Sequence, residues 1–361
     1  MSGSGGGAAA FVGDRSRQMV NGAIKAAWWG AASLALRRVG RPDTPEPDSR
    51  PRAPAPAPGF FRRAWLQAFE KDAADVARGL YPPMRDGRRG PRAAARAWSD
   101  LMRDAPEVAE RRRRRGAVEV RAESPESRGL PPYYRQNFHF QSGGWLTHES
   151  ARRYEAQVEA LFAGAAGAMR RRALSLLATA WRGRDQRDLI IVDLACGSGA
   201  FLENLSVAFP RTRLVGIDLS AAYLNEARRH SGVAAVAQAQ AERLPFADGA
   251  IDAINCIYLF HELPPAVRGK VAAEIARVLK PGGFLAFADS IQPRDEPQLE
   301  GLLEVFPAYF HEPFYKSYGA VDLHGLFAAA GLNVNSEDRA FLTKAILFER
   351  SGGPGQLNKS I

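Results

Sequence analysis

The sequence has only two cysteines, Cys196 and Cys256, in 361 residues. Two are too few for a disulfide framework or a zinc cluster, and they suit a reducing compartment. No metal site is expected. No apolar run reaches the ~18 residues that cross a membrane, and the longest candidate, residues 26–36, ends between Lys25 and Arg37. A secretory signal with a cleavage site is also missing. These absences predict a cytoplasmic chain without a transmembrane segment. The formal charge of +10 is unevenly spread: residues 1–128 hold 25 of the 49 basic and 15 of the 39 acidic side chains, which leaves the remainder neutral. The basicity therefore belongs to an N-terminal extension.

What is present centres on Leu189 through Phe201. An apolar run, Leu189-Ile190-Ile191-Val192, has the pattern of a parallel strand buried on both faces. A small-residue turn follows, then helical spacing of Phe201, Leu202, Leu205 and Ala208. Strand, glycine turn and helix hold a nucleotide-like ligand against backbone amides at a helix N-terminus. Two signals are missing from the turn. The third small residue of a dinucleotide fingerprint is replaced by Leu202, and no lysine follows the glycines as in a phosphate loop. Instead an acid, Asp193, closes the strand and can hold an ammonium group. Asp218 ends a second strand 25 residues later and is placed to accept hydrogen bonds from two ribose hydroxyls. A ligand with an amine and a ribose but no phosphate is S-adenosylmethionine (SAM).

Four stretches then occur in order: Val192-Asp193-Leu194-Ala195-Cys196-Gly197-Ser198-Gly199, Gly216-Ile217-Asp218-Leu219-Ser220, Gln240-Ala241-Glu242-Arg243-Leu244-Pro245-Phe246 and Arg277-Val278-Leu279-Lys280-Pro281-Gly282-Gly283. Together they resemble the class I SAM-dependent methyltransferases, above all the quinone-biosynthesis-type (methyltransferase type 11-like) small-molecule branch. The resemblance covers about residues 185–350. It implies a Rossmann-like, doubly wound α/β fold with a seven-stranded sheet of order 3-2-1-4-5-7-6 and the last strand antiparallel. It further implies that Asp193, Ala195, Gly197, Ser198 and Gly199 hold the methionine part of SAM. Asp218 and Leu219 would meet the ribose, Gln240 and Ala241 the adenine edge, and Ile257 and Tyr258 the other side. Ala195 departs from the family, which has its first turn glycine there.

Along the chain, residues 1–58 are expected to be disordered or linker, with one amphipathic helix at 18–39. That helix carries Ile24, Trp28, Trp29 and Leu34 and suits a membrane surface or partner, or packing on its own protein. Residues 59–128 read as a basic, helical extension that ends in the run Arg111 to Arg115, expected to be a solvated helix end. Residues 129–185 read as an aromatic lid segment, rich between Tyr133 and Trp145, and one helix at 148–181. The methyltransferase domain occupies 186–350, and 351–361 form a flexible tail.

For catalysis, His261 stands just past the fourth strand, where ligands bind in such sheets. It is expected to act as general base, with Glu262 to orient it; the alternative is a histidine satisfied by backbone. An insertion at 290–316 adds a cluster of Phe306, Tyr309, Phe310, His311, Glu312, Phe314 and Tyr315, a pocket cover for a flat or apolar acceptor. His311 and His139 are further candidates for the base. The expected function is methylation of a small, apolar or aromatic metabolite. Two alternatives stay open: RNA methylation through the basic extension, and SAM binding without catalysis. Against nucleic acid, no aromatics interleave the arginine run. Asn255-Cys256-Ile257-Tyr258 also lacks the prolines of amino-methylating enzymes.

Overall fold

The computed structural model describes residues 5–39, 51–84, 91–123, 125–230 and 235–352. The helices are α1 (Gly5–Val39), α2 (Phe60–Ala77), α3 (Pro91–Arg114), α4 (Val120–Glu123), α5 (His148–Leu161), α6 (Ala166–Ala180), α7 (Ala200–Ala208), α8 (Ala221–His230), α9 (Pro265–Val278), α10 (Glu300–Phe310), α11 (Tyr315–Gly319) and α12 (Leu323–Ala328). The strands are β1 (Ile190–Leu194), β2 (Arg213–Asp218), β3 (Ala235–Gln238), β4 (Ile251–Ile257), β5 (Leu279–Ser290), β6 (Leu332–Ala340) and β7 (Thr343–Arg350).

The seven strands form one sheet of order β3-β2-β1-β4-β5-β7-β6. Strands β1 to β5 run parallel, and β7 lies antiparallel to both β5 and β6. This is the order that the resemblance implied. The pleat of β5 explains its continuous apolar run. Leu285 and Phe287 face a cluster built with α9 and α12, while Phe284, Ala286 and Ala288 face α6 and α7 on the other side. A strand covered on both faces needs apolar residues at every position, not at alternate ones. The carboxyl ends of β1, β2, β4 and β5 converge at Leu194, Asp218, Ile257 and Ser290.

The extension differs from expectation. The helix expected over 18–39 begins at Gly5, so residues 5–17, read as disordered from their Gly/Ser/Ala content, are helical. Tertiary contacts overrule composition here: Gln18 is buried between the Asp72 carboxylate and the Met84 amide, and Lys25 pairs with Glu159 at 2.8 Å. Residues 1–4 and 40–50 of the expected linker, and most of the expected tail, lie outside the described residues. Linker residues 51–58 rest on the insertion, where Glu304 accepts the Arg52 amide and Gln298 the Ala57 amide. While α1 packs on its own protein, it leaves Val20, Ile24 and Trp28 exposed along one line. Among the described residues no helix is long and apolar enough to cross a membrane.

The helix expected at 148–181 is two, α5 and α6, broken where Ala163 and Gly164 take positive φ. Arg170, Arg171 and Arg172 of α6 are all buried. Arg171 grips Asp72 of α2 with two hydrogen bonds of 2.7 and 2.8 Å. Arg172 pairs with Asp75, one turn further along α2, and with Asp338 of β6. The acids of the basic extension thus fasten it to the sheet domain. The run from Arg111 is likewise not wholly solvated. Arg111 is 5% exposed and donates to the Phe140 carbonyl and the Ser142 hydroxyl, besides pairing with Glu119. Arg112 lies over the rings of Tyr309 and Phe310. Two of the five arginines expected to be solvated therefore hold the covers of the site.

Candidate functional site

Where β1 ends, Ala195 takes φ 58°, Gly197 φ 55° and Gly199 φ 86° before α7 starts. A left-handed alanine costs about 1 kcal/mol, a cost that a glycine at this position would not carry. Gly199 is required twice over: a Cβ there would also stand 2.9 Å from the Ala227 Cα. Gly199→Ala is expected to destabilise the protein by about 1–3 kcal/mol, measurable as a lower midpoint in urea.

The turn opens into a chamber at the carboxyl end of the sheet, lined by Asp193, Ala195, Gly197, Asp218, Leu219, Ala241, Ile257 and Tyr258. Asp193 is 2% exposed, and its Oδ2 has no hydrogen-bond partner. Burial raises its pKa to about 8 against the opposing pull of Arg170, with Asp218 adding to the rise. Asp218 is tied to the turn: its Oδ2 accepts the Gly197 amide at 2.9 Å and its Oδ1 the Ser220 amide at 2.8 Å. Burial raises its pKa too, against those backbone bonds. Ser198 lies outside the lining and donates to Glu155, while Gly199 caps α7. Gln240 is exposed and outside the lining; Ala239, Ala241 and Glu242 take that wall.

The opposite wall is aromatic: Tyr134, Phe138, Trp145, Tyr154 and Tyr223. Trp145, Tyr154 and Tyr223 meet edge-to-face, with centroids 5.2–5.7 Å apart. The turn beneath them needs Gly143 and Gly144, both at positive φ; a Cβ on Gly144 would lie 2.5 Å from the Gln136 carbonyl oxygen. The segment closes on the sheet through Ser220, which donates to the Trp145 carbonyl at 2.6 Å, and Tyr133, which donates to Glu242 at 2.7 Å. Tyr154 and Tyr223, on α5 and α8, were missed because nothing in their spacing separates a chamber wall from a core face.

A second chamber adjoins the first and shares Tyr154, Tyr258 and Glu262 with it. His261 lies there, with Phe306 and Tyr315 of the insertion. Its Nδ1 is 2.5 Å from Asp289 Oδ1, and Asp289 Oδ2 accepts the Phe260 amide at 2.9 Å and the His261 amide at 3.3 Å. The orienting partner is therefore Asp289, at the end of β5. Glu262, expected in that role, stands 3.9 Å from Nε2. Burial opposes charge on the ring, but the attraction and hydrogen bond of Asp289 prevail and hold its pKa at about 10.

His311 is not in either chamber. Its ring packs on Phe140, and its Nε2 lies 3.1 Å from Gln136 Oε1, which makes it part of the cover. Burial lowers its pKa. His139, the reserve candidate, does line the second chamber. Both cysteines are buried, and burial pushes each thiol up, which suits packing.

Residues 191–283 match the family model described as a methyltransferase domain. The chain is 34% identical over 103 residues to an uncharacterised methyltransferase of Synechocystis, covering 28% of this chain and 48% of that protein. It is 31% identical to a demethylmenaquinone methyltransferase of Beutenbergia cavernae, over 46% of this chain and 65% of the relative. A demethylmenaquinone methyltransferase of Thermus thermophilus is 32% identical over 219 residues, which are 55% of this chain and 96% of that protein. The chain belongs to the class I SAM-dependent methyltransferases. Against the first two relatives this methyltransferase spans about half and just under two thirds of their length.

The residues fit the group that the family implies. SAM carries a cationic sulfonium and an ammonium, and the first chamber offers a buried carboxylate with one oxygen unpartnered, the backbone of Gly197, and a wall of rings. Aromatic faces and carboxylates both favour a cation.

Proposed function

We propose that this chain transfers the methyl group of SAM to a small, apolar or aromatic acceptor bound in the second chamber. The observation that carries the reading is the buried Asp193 carboxylate, its Oδ2 without a hydrogen-bond partner, inside an aromatic enclosure at the glycine turn. Asp193 would hold the ammonium of SAM, the turn 195–199 its methionine part, Asp218 its ribose, and Ala241 with Glu242 its base. The bound group supplies a methyl on a good leaving group, so the protein's main task is positioning. Tyr258 and Glu262, common to both chambers, mark the passage between cofactor and acceptor.

His261 is the group we place at the acceptor's oxygen or acidic carbon. Asp289 occupies Nδ1 and fixes the ring, so the acceptor would meet Nε2, as the base whose conjugate acid holds the ionised nucleophile. The apolar side chains of Leu302, Leu303 and Phe306 would enclose the rest of the acceptor. The exposed line of Val20, Ile24 and Trp28 on α1 is where we place a contact with a membrane surface or partner. The internal contacts of Arg111 and Arg112 weigh against RNA as the acceptor.

The test is calorimetric binding of SAM, with NADH as control, followed by turnover of labelled SAM on demethylated quinols and simple phenols. His261→Asn is expected to keep the affinity for SAM and to lose about 10²–10⁴-fold in turnover. No SAM binding by the wild type overturns the reading. Full turnover in the variant overturns the part given to His261.

A further inference from the structure

The insertion, the lid and the turn after β4 bring together three side chains: His139, Glu262 and Glu312. One ligating atom from each lies within 4.8 Å of the others. Opposite ligands of an ion held at ~2.1 Å stand about 4.2 Å apart, so small side-chain rotations would close the set. Glu312 has no exposed side-chain surface, and neither of its carboxylate oxygens has a hydrogen-bond partner. A buried carboxylate left in this condition is costly unless something cationic meets it. His139 Nε2 is 2.6 Å from Glu312 Oε1, yet no N–H points along that line. Both arms are also held in left-handed backbone: His139 and Phe140 on one side, His311, next to Glu312, on the other. Strain of this kind collects at binding sites. The other titratable groups that face the cluster are His261, 3.9 Å from Glu262, its partner Asp289, Asp218 and His311.

We propose that His139, Glu262 and Glu312 bind one divalent first-row metal ion beside the acceptor chamber. One imidazole and two carboxylates suit Zn²⁺ or Mn²⁺ better than ions that demand all-oxygen shells. The ion would face the second chamber, where it could polarise an acceptor oxygen as a Lewis acid. That use rests on the reading of the second chamber as the acceptor site; the binding of the ion does not. The proposal also reverses the expectation of no metal, which only the cysteine count and spacing supported.

Equilibrium dialysis of the full chain against Zn²⁺ and against Mn²⁺ tests it, with no SAM present. One ion per chain is expected. Glu312→Gln and His139→Gln should each weaken binding at least tenfold while the thermal melt stays cooperative. Electron paramagnetic resonance of the Mn²⁺-loaded wild type should show coupling to one imidazole nitrogen, which decides the matter even if a variant fails to fold. No ion bound by the wild type, unchanged affinity in both folded variants, or a spectrum without nitrogen coupling would overturn the site. Protein that binds SAM but no metal sinks this proposal alone. Protein that binds metal but no SAM sinks the methyl-transfer reading instead.

Discussion

Asp193→Asn is expected to abolish SAM binding and, in the same protein, to raise the melting temperature of the free form. Both effects have one cause. The carboxylate is buried with an oxygen that nothing satisfies, and burial lifts its pKa to about 8. In the unfolded chain the same group ionises near 3.9. Between these values the unfolded state releases a proton that the folded state keeps, so this group lowers stability as pH rises from about 4 to about 8. An amide has no such slope. Differential scanning calorimetry at neutral pH should show the variant melting about 5 °C or more above wild type. A variant that melts lower would mean that Asp193 has a partner in the free protein. In the proposed site the cofactor would supply the missing counter-charge, and its binding would select the ionised carboxylate. Wild-type affinity for SAM should therefore rise with pH by up to tenfold per unit and level off above about pH 8. A flat profile, or undiminished SAM affinity in the variant, would remove Asp193 from the cofactor's cationic end.

Asp72→Ala should cost about 3–5 kcal/mol of stability, the penalty for stranding one half of a buried ion pair. The Asp72 carboxylate accepts two hydrogen bonds from Arg171, one from Gln18 of α1 and one from the Tyr81 hydroxyl. Burial opposes its charge, yet the arginines hold its pKa below the ordinary carboxylate value. The depressed pKa means that this stabilisation is present above about pH 4 and fades as pH falls further. Chemical denaturation at pH 7 reads the loss, and the gap between wild type and variant should narrow in acid. An unaltered midpoint at pH 7 would show that α1 and α2 contribute nothing to the fold of the sheet domain.

The sheet was legible because buried parallel strands write themselves as apolar runs. Leu189 to Leu194 and Ile251 to Ile257 have few other uses, and the acids at the ends of β1 and β2, Asp193 and Asp218, both line the first chamber. The glycine turn was equally plain, since Gly197 and Gly199 serve backbone shapes that other residues adopt only under strain. The limits of legibility lie in pairings between distant residues. Arg171 and Arg172 look like solvent-facing charges until Asp72 and Asp75, nearly a hundred positions earlier, close on them. Asp289 reads as the last residue of a strand, and only the fold sets it behind His261. Gly5 to Arg17 looks unstructured by composition, and only the packing of α1 at Gln18 and Lys25 extends the helix through it.

Arg111 gives the N-terminal extension a part in timing. Its guanidinium bonds the Phe140 carbonyl and the Ser142 hydroxyl, on the segment that carries Phe138 and Trp145 over the cofactor chamber. Swinging that segment aside would break these bonds, so α3 would bear on how long a ligand stays in the chamber. A body seated on α1 or α3 would act as a throttle on exchange and leave the chemical step unchanged.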